Sequence, residues 1–228
     1  MKLLYALAAL ALAAIPARAA DGPHYKIGVI GAGNVGGTLG TVWAKAGDEV
    51  MFASRHPDEL KDLVAKAGPN AKAGTPAEAA AFGDVVLIAV PYAAFEAVAK
   101  ANDPALKGKV VLDASNAIDK RDGAALGEKV RAMGIGEYDA KLLPGVHLVR
   151  GFNAIHYTDM VDDAHKGIAI PLASDDPKAI AVGSELVRQA GFEPVVVPLA
   201  KAGAFGPGLP LGVGAFSAAE WKRKLGVK

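Results

Sequence analysis

Cysteine is absent from this chain of 228 residues. Its absence excludes structural disulfides, thiolate catalysis and cysteine-ligated metal or iron-sulfur sites. Any chemistry must therefore depend on a bound cofactor or on oxygen and nitrogen groups of the side chains.

The chain also has almost no net charge. Lysine and arginine together number 25 and aspartate and glutamate 24, which gives a formal charge of +1. Such a chain has no overall field that would attract nucleic acid or an anionic membrane face. We therefore predict a small-molecule partner and no nucleic acid. Because 52% of the residues are hydrophobic, the chain can bury a large core as a single domain.

Long hydrophobic runs are lacking except at the amino terminus. Lys2 precedes an apolar run over residues 3–15, which is followed by Pro16 and the small-residue pattern Ala17-Arg18-Ala19. This layout is typical of a secretory signal peptide cleaved after Ala19. The alternative, a membrane anchor, is less favoured because this run as a helix reaches only about 20 Å, against a hydrocarbon core of about 30 Å. We expect a signal peptide over residues 1–20 and a mature chain without a stable membrane span.

From Tyr25 onward, short β-rich runs alternate with longer stretches of helical spacing. This order predicts an α/β fold of the Rossmann type, a doubly wound and mainly parallel sheet with helices on both faces. The expected strands are Tyr25–Ile30, Glu49–Ala53, Ala71–Ala73, Val85–Val90, Lys109–Asp113, His147–Gly151, Gly167–Leu172 and Glu193–Pro198. The main expected helices are Val35–Ala46, Pro57–Lys66, Pro76–Ala81, Ala93–Ala101, Pro177–Ala190 and Ser217–Lys224.

A glycine motif lies between the first strand and the first helix, Gly31-Ala32-Gly33-Asn34-Val35-Gly36. In a dinucleotide-binding motif the first glycine permits a tight turn, the second lets the backbone approach a pyrophosphate, and the third lets helix and strand pack closely. The pyrophosphate would lie at the positive end of the helix. The alternative is a glycine-rich turn without a ligand. The position of this motif between a strand and a helix favours a dinucleotide.

The end of the second strand indicates which dinucleotide is bound. NAD sites usually have an acidic residue there, which accepts hydrogen bonds from the ribose 2′-hydroxyl. This chain has Ser54 and Arg55 instead. A serine hydroxyl and a guanidinium can both bind a 2′-phosphate, the latter with two charge-assisted hydrogen bonds. We therefore predict NADP(H), while a merely solvated Arg55 is the alternative.

The sequence resembles the NADPH-dependent F420 reductases and their relatives, the amino-terminal domain of pyrroline-5-carboxylate reductase and the cytosolic domain of six-transmembrane metalloreductases. The resemblance extends over nearly all of residues 25–212. Besides the glycine motif and the Ser54-Arg55 pair, it rests on several short segments, Ala89-Val90-Pro91, Leu112-Asp113-Ala114-Ser115-Asn116, Gly151-Phe152-Asn153, Ser174-Asp175-Asp176, Gly191-Phe192 and Pro198-Leu199-Ala200.

The resemblance implies that hydride passes between NADPH and a flavin-like ring, with F420, FMN or FAD as the acceptor. It also implies that Val90, Pro91 and Asn116 surround the nucleotide together with the glycine motif, Ser54 and Arg55, and that Phe152 and Asn153 lie near the nicotinamide. Family members often have a basic residue one turn after the serine-arginine pair. Here that place holds Asp58, Glu59 and Leu60, which implies a weaker grip on the phosphate.

No catalytic triad is apparent, and direct hydride transfer needs none, since the protein chiefly supplies proximity and orientation. Asn153 could position the nicotinamide or the acceptor, or could instead cap a helix that begins near Ala154. His156 and Tyr157 could relay a proton, although a histidine at a helix start is more often structural. Asn153-Ala154-Ile155-His156 lacks the paired ligands of a metal site, so we predict no bound metal.

The sequence predicts a single NADP(H)-binding domain over residues 21–228, including a carboxy-terminal extension. We expect an NADP(H)-dependent oxidoreductase, and the alternative is a module that binds NADP(H) or another phosphorylated ligand without turnover. Apolar residues near the carboxy terminus, among them Phe205 and Trp221, could form a homodimer surface or pack on their own domain. The signal peptide predicts a periplasmic or secreted protein. NADPH is expected to be scarce there, so either another ligand is used or the domain stays in the cytoplasm.

Overall fold

The computed structural model describes residues 22–228. Its centre is one sheet of eight strands in the order β3-β2-β1-β4-β5-β6-β7-β8. The strands are β1 (Lys26–Ile30), β2 (Glu49–Ala53), β3 (Ala71–Gly74), β4 (Val85–Ile88), β5 (Val110–Asp113), β6 (His147–Arg150), β7 (Ala169–Ala173) and β8 (Glu193–Val197). Each of them overlaps a strand expected from the sequence.

The first six strands are parallel, and their order reverses between β1 and β4. Ile30, the last residue of β1, is in register with Ala53 of β2 and with Ile88 of β4. The carboxyl ends of these strands therefore lie at one edge of the sheet, where α/β folds bind their ligands. Strand β7 runs antiparallel to β6, through the pair Arg150 and Ala173, and β8 is parallel to β7. The predicted mainly parallel Rossmann-type fold is thus confirmed.

Helices cover both faces of the sheet. They are α1 (Asn34–Ala46), α2 (Lys61–Ala67), α3 (Pro76–Phe82), α4 (Phe95–Leu106), α5 (Asp119–Asp122), α6 (Ala124–Met133), α7 (Ile135–Leu142), α8 (Asp159–Asp162), α9 (Pro177–Gln189) and α10 (Ala218–Leu225). Helices α1, α8 and α9 pack around Trp43 on one face, whereas α3, α4, α6, α7 and α10 pack around Phe95 and Trp221 on the other. These two cores hold the strands rigidly beneath the ligand-binding edge.

One expected helix is absent, and helix α7 was not predicted. No helix begins near Ala154, where the chain forms a turn, and the next helix is α8. Helix α7 was missed because its two flanking breakers, Gly134 and Pro144, and the internal Gly136 resemble loop sequence. Gly136 is needed there, since a Cβ at this position would lie 2.6 Å from the Leu199 carbonyl oxygen. Close packing of α7 therefore overrides its weak helical propensity.

The predicted signal peptide lies outside the described residues. Within residues 22–228, no helix is long and apolar enough to cross a membrane. At the carboxy terminus, Phe205 and Trp221 are almost fully buried, with their ring centroids 6.1 Å apart, and the Trp221 indole donates to the Ala169 carbonyl oxygen at 3.1 Å. These two aromatic residues therefore pack on their own domain.

Candidate nucleotide site

The turn between β1 and α1 brings two backbone segments close together. Gly31 has a φ of 100°, which favours glycine, and a Cβ there would lie 2.4 Å from the Ala89 carbonyl oxygen. A Cβ at Gly36 would lie 2.1 Å from the Gly31 carbonyl oxygen. Neither position has room for a side chain, so these two glycines are required by the turn and by the packing of α1 against β1.

Gly33 differs from its neighbours because open space surrounds it. A Cβ at Gly33 would meet no atom within 4 Å. Gly33 is the N-cap residue of α1, no side chain caps this helix end, and its first turn contains no acidic residue. The first amides of a helix lack intrahelical partners and lie at its positive end. The turn therefore presents an open backbone surface suited to a phosphate group.

Ser54 and Arg55 follow β2 at the same edge of the sheet. The Ser54 amide donates to the Gly74 carbonyl oxygen at 3.2 Å, and the Ser54 hydroxyl accepts a hydrogen bond from the His56 amide at 3.1 Å. Arg55 is exposed and forms no ion pair with any acidic side chain of residues 22–228. Its guanidinium is thus available to an anionic ligand, and the neighbouring Asp58 instead pairs with Lys61 at 3.7 Å.

A cleft of about 620 Å³ joins the glycine turn to the end of β2. It contains seven of the nucleotide-binding residues predicted from the sequence, which are Gly31, Ala32, Gly33, Ser54, Arg55, Val90 and Pro91. Its remaining wall is largely apolar and comes from α4, with Ala97, Val98 and Ala101. An apolar slot beside an arginine and a phosphate-binding turn matches the composition of an adenosine phosphate.

Three residues of the glycine motif do not line this cleft. Asn34 lines a neighbouring groove between α1 and α2, to which Ala32 and Gly33 also contribute. Val35 is partly buried against the core around Trp43, and Gly36 is buried against β1. Any contribution of these three residues to nucleotide binding would be made through the backbone or through the position of α1.

Asn116 and Asn153 lie at the other end of the edge, after β5 and β6. The Asn116 side-chain amide donates to the Asn153 carbonyl oxygen at 3.2 Å, and the Asn153 side-chain amide donates to the Ser115 carbonyl oxygen at 2.9 Å. Asn153 is almost fully buried and caps no helix, so the capping alternative was wrong. The two asparagines join the turn after β6 to the turn after β5.

A second cavity, of about 520 Å³, opens beside Asn116. Its walls come from the residues that follow β5, from the junction of α6 and α7, and from the loop around Gly208. Most of the lining is apolar, and an ion pair between Arg131 and Asp119, 2.8 Å long, contributes to one side. The cavity is large enough for part of an organic ligand, as pockets of several hundred Å³ are.

The structure adds a group of buried charges that the sequence interpretation missed. Arg150, the last residue of β6, is 1% exposed, and its guanidinium contacts the carboxylates of Asp139 and Asp113. The Tyr92 hydroxyl donates to Asp139 from the opposite side. A signal was present in the sequence, because a charge within a strand that is buried on both faces requires a partner.

Two carboxylates share one arginine in this group, and burial determines their protonation. Burial raises the pKa of Asp113 well above its ordinary value; Arg150 opposes this shift and Asp139 adds to it. Burial also raises the pKa of the Tyr92 hydroxyl, with Asp139 adding to the effect. Burial thus favours the protonated, neutral form of Asp113.

His156 and Tyr157, the proposed proton relay, lie in the turn that follows Asn153. The His156 Nδ1 atom lies 2.7 Å from the Thr158 hydroxyl oxygen, and the His156 and Tyr157 ring centroids are 4.5 Å apart. His156 is exposed and makes a local contact, which matches the structural alternative. Among the described residues, no three His, Asp or Glu side chains group as metal ligands.

Comparisons with known proteins relate this chain to oxidoreductases. A model of the family described as NADP oxidoreductase coenzyme F420-dependent matches residues 26–117. The metalloreductase STEAP3 of Rattus norvegicus is 26% identical over 172 residues, which are 75% of this chain and 33% of that protein. The chain thus spans about a third of the length of this relative.

Solved structures share the fold. A hypothetical protein, SMa0349 from Sinorhizobium meliloti, is 29% identical with a TM-score of 0.72, covering 85% of this chain and 95% of that one. A putative F420-dependent NADP reductase from Arthrobacter sp. FB24 is 23% identical with a TM-score of 0.66, covering 78% of this chain and 87% of that one.

The segment matched by the family model contains the glycine turn, Ser54, Arg55, Val90, Pro91 and Asn116. The match therefore coincides with the residues that line the cleft and with the asparagine beside the second cavity. It confirms the resemblance predicted from the sequence and relates this chain, through residues 26–117, to the NADP-dependent oxidoreductases.

Proposed function

We propose that the protein is an NADP(H)-dependent oxidoreductase that transfers hydride between NADPH and a flavin-type or deazaflavin acceptor. The observation that carries this proposal is the exposed Arg55 beside Ser54, at the end of β2 and in one cleft with the glycine turn. A 2′-phosphate distinguishes NADP from NAD, and an arginine at this place is the group that accommodates it. The match to the NADP oxidoreductase family supports the same cofactor.

The residues of the cleft fit the dinucleotide. The open space at Gly33 lets a pyrophosphate approach the uncapped amides of α1, and Arg55 can bind the 2′-phosphate through two hydrogen bonds. The apolar residues of α4, together with Val90 and Pro91, form a wall on which the adenosine half can rest. One turn further on, Asp58, Glu59 and Leu60 stand where a basic residue would strengthen this grip.

Bound NADPH would supply the hydride, and the role of the chain is to hold two rings face to face. With the adenosine half held at β2, the nicotinamide half would extend along the strand edge towards β5. Asn116 follows β5 and lines the second cavity, which we assign to the ring of the acceptor. Proximity and orientation of two bound rings can account for a large part of such a rate enhancement. F420, FMN and FAD are the candidate acceptors.

The substitution Arg55→Ala tests the cofactor assignment. It removes charge-assisted hydrogen bonds, and the loss of even one, at about 1.5–3 kcal/mol, means that NADPH affinity should fall at least about tenfold. NADH affinity should hardly change. Lys61→Ala is the matched control, because Lys61 is an exposed cation nearby that pairs with Asp58. Equal losses for NADPH and NADH, measured by fluorescence titration, would contradict a 2′-phosphate site.

A turnover assay tests the reaction. NADPH absorbance should decrease when FMN, FAD or F420 is added, and ferric chelates with added flavin form a further arm, since a metalloreductase is among the relatives. If the protein binds NADPH but consumes none with any of these acceptors, it is a binding module without turnover, and the proposed activity is wrong.

Location and assembly complete the proposal. We propose that the chain is exported and cleaved after Ala19, and that the mature protein forms a homodimer. Amino-terminal sequencing of the protein recovered from its native cells should begin at Ala20. Recovery of an intact Met1 terminus from the cytosol would refute export.

Light scattering of the purified protein measures its mass and so tests the homodimer. A monomer mass would refute the homodimer.

A further inference from the structure

The buried group at the end of β6 connects to backbone that faces the ligand edge. While one end of the Arg150 guanidinium contacts Asp139 and lies 3.1 Å from Asp113, its Nη2 atom donates to the Ser115 carbonyl oxygen at 2.8 Å. The Asn153 side chain donates to that same carbonyl oxygen. Arg150 thus holds the segment that leads directly to Asn116, and the same carbonyl orients Asn153.

A contribution to fold stability does not by itself explain why the chain buries Arg150 with two aspartates. Replacing buried ion pairs with well-packed hydrophobic residues is often neutral or stabilising. Five buried side-chain atoms among residues 22–228 lack a hydrogen-bond partner, and three of them belong to this group, which are Asp113 Oδ2, Arg150 Nε and Asn153 Oδ1. Unpartnered buried atoms are uncommon in native proteins and require an explanation. Arg150 Nε and Asn153 Oδ1 are thus held by their neighbours and not by hydrogen bonds of their own.

Backbone strain occurs at the same place. Phe152 has a φ of 61°, which is uncommon for a residue other than glycine, and it is 2% exposed. Trp43 and Phe192 make edge-on contacts with its ring, with centroid distances of 6.1 and 6.4 Å. Such conformations persist where packing over-determines them, and they occur often at functional sites. The turn that carries Asn153 is therefore fixed from two sides, by this packing and by the Ser115 carbonyl.

The position of this turn relative to the nucleotide follows from strand order. With its 2′-phosphate at β2 and its pyrophosphate at β1, the rest of a bound dinucleotide would extend along the edge towards β4 and β5. The ends of β2 and β5 are three strand spacings apart, about 14 Å. Asn116, which follows β5 and is hydrogen-bonded to Asn153, would then lie at the nicotinamide end of the dinucleotide.

We propose that Arg150 is a positioning residue for the nicotinamide half of the dinucleotide. Through the Ser115 carbonyl it holds Asn116 and Asn153 in a fixed arrangement, and Asp139 and Asp113 hold Arg150 in turn. This inference rests on the proposed function, because it assumes that NADP(H) binds along the strand edge. It assigns no contact between Arg150 and the nucleotide.

The test separates the two halves of the ligand. 2′,5′-ADP contains the adenosine and the 2′-phosphate but no nicotinamide, whereas NADP⁺ contains both halves. Arg150→Lys retains the charge but cannot contact Asp139 and the Ser115 carbonyl with a rigid fork. We expect this variant to bind NADP⁺ at least about tenfold more weakly than the wild type, with 2′,5′-ADP affinity unchanged. Calorimetric titration measures both affinities.

Two further variants complete the experiment. Asp139→Asn keeps the shape of the side chain and removes its charge, so it should show the same selective loss even if Arg150→Lys fails to fold. Arg55→Ala is the opposite control and should weaken both ligands. Melting temperatures identify variants that are merely less stable.

The outcomes separate this inference from the proposed function. If both network variants weaken the two ligands equally, or weaken neither, the network is only structural and the inference is wrong. If the wild-type protein binds neither ligand, the proposed function fails and this inference fails with it.

Discussion

The two ends of the ligand edge are built differently. At the β1 and β2 end, backbone amides, an open glycine and the exposed Arg55 face solvent, and hardly any buried polar side chain is involved. At the β5 and β6 end, Arg150 and two aspartates are fully buried. Arg150 also donates a hydrogen bond to the backbone carbonyl oxygen of Ser115. The first end can bind an anion without further support, since helix geometry supplies the donors. The second end depends on tertiary packing, so damage there should affect stability as well as binding.

The largest expected difference between the two ends concerns their arginines. Arg150→Met leaves Asp139 buried without its partner, which should lower the free energy of unfolding by about 3–5 kcal/mol. Arg55→Met changes an exposed side chain and should alter it by no more than about 0.5 kcal/mol. Urea unfolding followed by circular dichroism measures both. Equal stability of the two variants would show that the buried group does not support the fold.

A smaller difference is expected within the glycine turn itself. Gly36→Ala forces a methyl group against the Gly31 carbonyl oxygen, 2.1 Å away, and should cost about 1–3 kcal/mol of stability through overpacking. Gly33→Ala meets no atom within 4 Å, so stability should change little. Its methyl group occupies the approach of the pyrophosphate, and NADPH affinity should still fall at least about tenfold. Unfolding and NADPH titration of both variants separate the two roles.

The opposite pattern would break this interpretation. If Gly33→Ala binds NADPH as the wild type does, the open space at Gly33 is not the pyrophosphate site. If Gly36→Ala is fully stable, the contact between α1 and β1 adjusts more easily than its geometry indicates.

The amount that the sequence predicted also differs between the two ends. Residues 26–117 alternate short apolar strands with helices, and each glycine of the motif has a local reason to be there. Local patterns of this kind predicted every strand in that segment within about two residues at either end. The site at β1 and β2 could be derived in the same way, because strand ends, helix starts and Arg55 are all features of nearby sequence.

The β5 and β6 end could not be derived locally. Its polar group joins Tyr92, Asp113, Asp139 and Arg150, which are far apart in the sequence and meet only through tertiary packing. Asp139 belongs to α7, the helix that was not predicted because its glycines resemble loop sequence. The expectation of a helix at Ala154 failed for the same reason, since the turn at Phe152 is shaped by aromatic packing from α1 and from the residue before β8.

The smallest expected effect is on the pH dependence of the free energy of unfolding. It distinguishes the buried β5 and β6 end from the exposed β1 and β2 end. Asp113, whose pKa is raised by burial, keeps its proton in the folded protein at pH values where the unfolded chain has lost it. Unfolding then releases a proton, so the free energy of unfolding should fall as pH rises above the unfolded pKa of about 3.9. The fall should be at most about 1.4 kcal/mol per pH unit and should stop at the folded pKa.

Asp113→Asn tests this slope directly. An asparagine stays neutral at every pH and can still accept the hydrogen bond that the Ser115 amide donates to Asp113 at 2.7 Å. Subtracting the two stability curves removes other titrating groups, including Asp48 at the amino end of β2, whose pKa burial also raises. The difference should increase in favour of the variant as pH rises. A flat difference would mean that folding does not raise the pKa of Asp113, so that burial is offset by Arg150.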